Sequence, residues 1–114
     1  MQARAFVAVL AVLGLLASCA SNPHPMDMSQ AVQNAKTSAD HEALAKHYED
    51  TAKSMQAMAQ QQRNMLEKYS SRTDAVGVDT RKEYSQILIR RYEEAAEANM
   101  NMAASHREMA TEAK

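Results

Sequence analysis

The chain has 114 residues, one cysteine and a formal net charge of −1, which bounds it to one small domain and excludes an internal disulfide framework. No basic block stands out, so nucleic acid is not an expected partner. Trp is absent, and a single Phe and two Gly leave little from which to build a β protein; Ala, Met, Gln, Glu and Lys dominate, side chains that lose least on entering a helix.

The opening segment has the parts of a secretory signal in order. Arg4 supplies the positive end, Ala5 to Leu16 an apolar run, and Ala17 and Ser18 the small residues before a cut. At about 12 residues the apolar run is too short to span a bilayer. Leu16-Ala17-Ser18-Cys19 resembles the lipobox of bacterial lipoproteins. The resemblance implies that residues 1–18 are removed, that the Cys19 thiol carries diacylglycerol, and that the new amine is acylated, with palmitate for example. Several acyl chains make such an anchor durable, whereas one binds only marginally. Ala20 follows the cysteine, not the Asp that commonly retains lipoproteins at the inner membrane, so the resemblance implies the periplasmic face of the outer membrane.

Residues 19–37 read as a lipidated, flexible stalk. They hold both prolines, Pro23 and Pro25, which forbid a helix there. Gln30 to Lys36 have the composition for one frayed helical turn. Fully extended, 18 such residues reach roughly 60 Å from the membrane.

Residues 38–114 read as an all-α antiparallel two-helix hairpin of coiled-coil type, with helices over about 38–70 and 80–113. In the first helix Leu44, Tyr48, Thr51, Met55, Met58, Gln62, Met65 and Tyr69 follow alternating steps of four and three, a heptad seam. Ala45, Ala52, Ala59 and Leu66 form a flanking row. Ser38 is the expected N-cap, and Glu42–Lys46 and Glu49–Lys53 are spaced for ion pairing. Residues 70–79 break the period and contain Gly77, the expected turn. Thr80 to Glu83 have capping-box form. The second seam is Leu88, Tyr92, Ala95/Ala96, Asn99, Met102/Ala103, His106, Met109/Ala110 and Ala113.

The two helices align with each other at an offset of 44. His47-Tyr48-Glu49-Asp50-Thr51-Ala52 lies over Arg91-Tyr92-Glu93-Glu94-Ala95-Ala96, Met58-Ala59 over Met102-Ala103, Arg63 over Arg107 and Leu44 over Leu88. A duplicated helix explains the match. With a short connection, positions whose numbers sum to about 153 face each other. One hairpin leaves a long side of its seam open, so the chain is expected to self-associate into a four-helix bundle or to take a helix from a partner protein.

No catalytic constellation is recognisable. The sequence lacks a glycine-rich phosphate loop, a nucleophile elbow and a helical zinc motif, and the carboxylates fall as pairing partners on outward faces; the chain is not read as an enzyme, and no cofactor is expected outright. The residues with chemistry to offer are the histidines and methionines. His24, Met26 and Met28 crowd a short stretch of the stalk, and thioethers with imidazole suit copper or silver. Met55, Met58, Met65, Met102 and Met109 are accounted for as gap fillers in an alanine-rich seam, whereas Met26, Met28 and Met100 lie off it. At the end away from the turn His41, His47 and His106 can approach one another near Tyr48, Met109 and Glu112. Two readings follow: a copper or zinc site, or a haem ligand set, and, more simply, His106 hydrogen-bonded to Tyr48 with His41 helping to cap the first helix.

The stretch Asp40 to Glu49 and its echo Ser105 to Ala110 are similar to a phrase in small exported helical-hairpin proteins of proteobacteria. That resemblance spans most of residues 38–112 and implies fold and compartment, with no site residues attached. The functional expectation is a non-catalytic envelope lipoprotein acting as a structural or interaction module, with periplasmic metal binding as the alternative.

Overall fold

The structure is a computed structural model, and it describes residues 26–72 and 76–113. Three helices follow one another: α1 (Met28–Asn34), α2 (Ser38–Ser70) and α3 (Val78–Glu112). The described residues contain no strand. The long helices, of 33 and 35 residues, run about 50 Å each at about 1.5 Å per residue. They lie side by side as a hairpin, and α1 folds against the start of α2.

The helix ends differ from the sequence reading in three places. The first cap is Thr37, one residue before Ser38: its hydroxyl accepts from the Asp40 N–H at 3.1 Å, and the Asp40 carboxylate accepts from the Thr37 N–H at 2.9 Å and the Lys36 N–H at 3.0 Å. Those backbone donors hold the Asp40 carboxyl below its ordinary value. Next, α3 starts at Val78 after a left-handed Gly77 with no side-chain cap, so Thr80 lies inside the first turn. Finally, the stalk is not uniformly irregular: Asp27 caps α1 by accepting from Ser29 and Gln30, a local device that outweighs the polar composition of this short stretch.

The core is narrower than the seam. Its buried apolar residues are Leu44, Ala45, Ala52 and Ala59 from α2, with Val78, Ala96, Ala103 and Ala110 from α3. Alanine every seventh residue presents a smooth strip that lets two backbones approach closely. Apart from Leu44, the large seam residues lie to one side of this strip. Tyr48, Met55, Met58, Met65 and Tyr92 are half-buried, and Leu88, Met102 and Met109 are 39%, 43% and 42% exposed. The expectation that these last three form the hairpin's interior is therefore corrected: alanine is the better fit where helices touch.

Ion pairs flank the strip on its other side. Arg63 of α2 bridges to Glu93 of α3, and Arg107 of α3 to Glu49 of α2. Both pairs have numbers summing to 156, close to the expected register. They are also related by the offset of 44, Glu49 answering to Glu93 and Arg63 to Arg107. The hairpin thus has a pseudo-twofold axis passing between its helices. Shifted by one, at a sum of 155, Ala52 stands opposite Ala103 and Ala59 opposite Ala96. Along α2, Lys53 pairs with Glu49 at 2.8 Å as expected, whereas Lys46 turns to Asp50 at 2.5 Å and not to Glu42.

Candidate functional site

The end of the hairpin away from the turn gathers the imidazoles. His41 stands in the first turn of α2, held by the Thr37–Asp40 capping box, and its Nδ1 meets the Nδ1 of His106 at 3.1 Å. The two rings are 5.4 Å apart and 25° from parallel. Tyr48, two turns further along α2, stacks flat on His106: its ring lies 5.5 Å away at an interplanar angle of 9°. His106 is only 5% exposed, and His41 is half-buried.

Neither simple expectation for these residues holds in detail. The Tyr48 contact to His106 is stacking, and the hydrogen bond goes to His41. His41 is not a cap, because Thr37 and Asp40 fill that role. In the His41–His106 bond one Nδ1 donates and the other accepts, so the two rings cannot both be protonated there. Burial and the neighbouring His41 push the His106 pKa below its ordinary value, which keeps that imidazole neutral at neutral pH.

His47 does not join this pair. It sits edge-on to Tyr48, with centroids 6.0 Å apart at 74°. Among the described residues no group of three or more His, Cys, Asp or Glu is placed to hold a metal ion, so the three-histidine arrangement is not brought together. Cys19 and His24 lie outside the described residues. Met28 opens α1, and Met26 lines a shallow hollow with Ala31, Ala35, Asp40, Ala43 and Leu44. Met100 lines a different hollow, beside Arg63 and Glu93.

The repeat supplies a comparison within the chain. At an offset of 44, His41 corresponds to Ser85, Tyr48 to Tyr92, and Gln62 to His106. Ser85 is buried and Gln62 and Tyr92 are half-buried. The fold therefore accepts an uncharged, non-titrating pair at the equivalent place near the turn, and packing alone does not require histidine at the open end.

A second feature is the interhelical ion cluster, which sequence reasoning missed. Lys53 and Arg107 both bind Glu49, and they hold its pKa down to about 2. The signal was present in the repeat, where Glu49/Glu93 and Arg63/Arg107 fall in matching registers. Spacing within one helix shows only the pairs along that helix, and so the bridges between helices went unread.

The third feature is the side of the hairpin that carries the seam rows, where Arg91, five full turns from Met109, is the charged residue beside the apolar ones. From Leu44 to Tyr69 the seam row of α2 carries no charge, and neither does the row from Leu88 to Met109 on α3. At 100° per residue these rows lie on the flank of the alanine strip opposite the ion pairs. The pseudo-twofold axis puts both rows on one side of the molecule. No described helix is long and apolar enough to cross a membrane. Comparison with protein-family models, with curated proteins and with solved structures finds no match for this chain.

Proposed function

We propose that this chain is a non-catalytic lipoprotein of the bacterial envelope, anchored through Cys19 at the periplasmic face of the outer membrane, whose hairpin is an interaction module that pairs with a second copy of itself. The observation that carries the reading is the division of labour across the hairpin. Alanines make the contact between α2 and α3, while Leu88, Met102 and Met109 stay about two-fifths exposed on a largely apolar face that also carries Arg91. Large apolar side chains so arranged gain little within one hairpin and much when a second surface removes them from water.

Size favours the same occupant. The face spans residues 44–69 on α2, about 38 Å of helix, and two adjacent helices make it about 20 Å wide. That is close to the roughly 800 Å² per partner of a standard stable interface. Because the face has its own pseudo-twofold axis, two copies can meet face to face as a four-helix bundle with matching rows. The anchor rests on Leu16-Ala17-Ser18-Cys19 following an apolar run.

Two measurements test this. Mass spectrometry of the membrane fraction should find an acylated N-terminus at Cys19, and Cys19→Ala should release the protein from that fraction. A photo-crosslinker placed at Met102 should give a dimer band in cells, and Leu88→Asp should remove it. A free thiol at Cys19, or a crosslinker that captures no second copy, contradicts the proposal.

A further inference from the structure

We infer that His41 and His106 form a two-imidazole site for one divalent transition-metal ion of the imidazole-preferring class, with Cu(II) bound most tightly. The geometry carries this. At metal–nitrogen distances of about 2.0–2.1 Å, two nitrogens 3.1 Å apart subtend roughly 100° at an ion lying beside the line between them. That value falls between the right angle of tetragonal Cu(II) and the tetrahedral angle of Zn(II). The ion takes the place of the shared proton: the donor ring changes tautomer, its Nδ1 proton going to solvent as its Nε2 takes one up, and each neutral ring tilts so that its Nδ1 lone pair aims at the ion.

Three further observations agree. His106 is 5% exposed, and its only side-chain hydrogen-bond partner among the described residues is His41. Tyr48 covers one face of the His106 ring, which fixes the ring's orientation as an outer-shell group does. The equivalent end of the hairpin carries Ser85 and Gln62 in place of the histidines, so the fold itself does not require imidazoles at this place. Two protein nitrogens leave the remaining coordination positions to water, which makes the site an exchangeable one. By the order of divalent affinities copper exceeds zinc there. The inference is independent of self-association.

The test is calorimetric titration of the full chain carrying Cys19→Ser, in detergent, with CuCl₂ and with ZnCl₂. One ion per chain is expected, with copper the tighter. The variant His41→Ser/His106→Gln gives the open end the residues of the other end, which the fold already accommodates, and it should keep its helicity. Copper affinity should fall more than about tenfold in it, since even outer-shell partners are worth about 10–100-fold. His47→Ala and His24→Ala should bind as the parent does. Should the double variant lose helicity, His41→Ser alone, at a half-buried position, serves the same comparison. Electron spin resonance of the copper form should show nitrogen couplings that this variant loses. Absence of saturable binding, or affinity unchanged by removing His41, overturns the inference.

Discussion

Glu49 of α2 is bridged by Arg107 of α3, 58 residues away, and the pseudo-twofold partner of this bridge joins Glu93 to Arg63. The cluster makes the hairpin acid-sensitive in a defined window. The folded-state pKa of Glu49 is about 2, below the ordinary 4.5 of an unpaired glutamate. A depressed carboxyl contributes stability that is complete above about pH 4.5 and is lost as the pH falls toward 2. Glu49→Gln should therefore melt at a lower temperature than the parent at pH 7, and the two melting curves should converge near pH 2. A difference that stays constant across that range would remove Glu49 from the account.

His106 sets a second window, with the same sign and a different position. Its pKa is lowered by burial and by His41. The unfolded chain therefore binds the proton more readily, and stability rises with pH. The contribution is complete above about pH 6.5, the unperturbed histidine value, and declines as the pH falls below it. In the presence of a chelator, melting temperature should drop between pH 7 and pH 5 in the parent. The drop should be smaller in His106→Gln.

Packing along the alanine strip predicts intolerance of size where the residues look most replaceable. Ala52 is 0% exposed. Ala52→Leu should cost about 1–3 kcal/mol in chemical denaturation, the usual range for overpacking. Ala57→Leu, on the exposed side of the same helix, should change stability by less than about 0.5 kcal/mol. Equal effects at the two positions would mean that the strip is not the helix contact.

The turn depends on one glycine. Gly77 has φ of 78° and stands immediately before α3, with open space where a Cβ would lie. Gly77→Ala should cost about 1 kcal/mol through backbone strain alone, and Gly77→Asn less, because asparagine tolerates that region better. Thermal unfolding of the two variants checks the order.

Periodicity made the helices legible, and Ser38 to Ser70 falls where the heptad pattern puts it. The contact strip was harder to read. Leu88, Met102 and Met109 are large apolar residues on the heptad row of α3, and pattern reasoning assigns such residues inward. Close helix approach instead selects the small residues beside them, and the register between helices decides this, which one helix's sequence does not contain. The His41–His106 contact joins residues 65 apart in the chain. The hairpin register brought their neighbourhoods together in prospect, but the choice between a bond to Tyr48 and a bond to His41 turns on ring orientations that spacing does not encode. The Thr37 cap was missed because Ser38 is an equally good capping type one residue on; the carboxylate at Asp40, three residues after Thr37, is the distinguishing mark.

Sedimentation equilibrium tests most directly whether the face carrying Leu88, Met102 and Met109 receives a second copy. The chain from residue 19 onward, with Cys19→Ser so that no lipid is attached, should sediment as a dimer at micromolar concentration. Met102→Asp places a charge on a side chain that is 43% exposed in the single hairpin, so it should leave helicity intact and shift the protein to monomer by burying an unpaired charge in the dimer. A parent chain that remains monomeric to millimolar concentration, or a Met102→Asp chain that remains dimeric, would contradict the account.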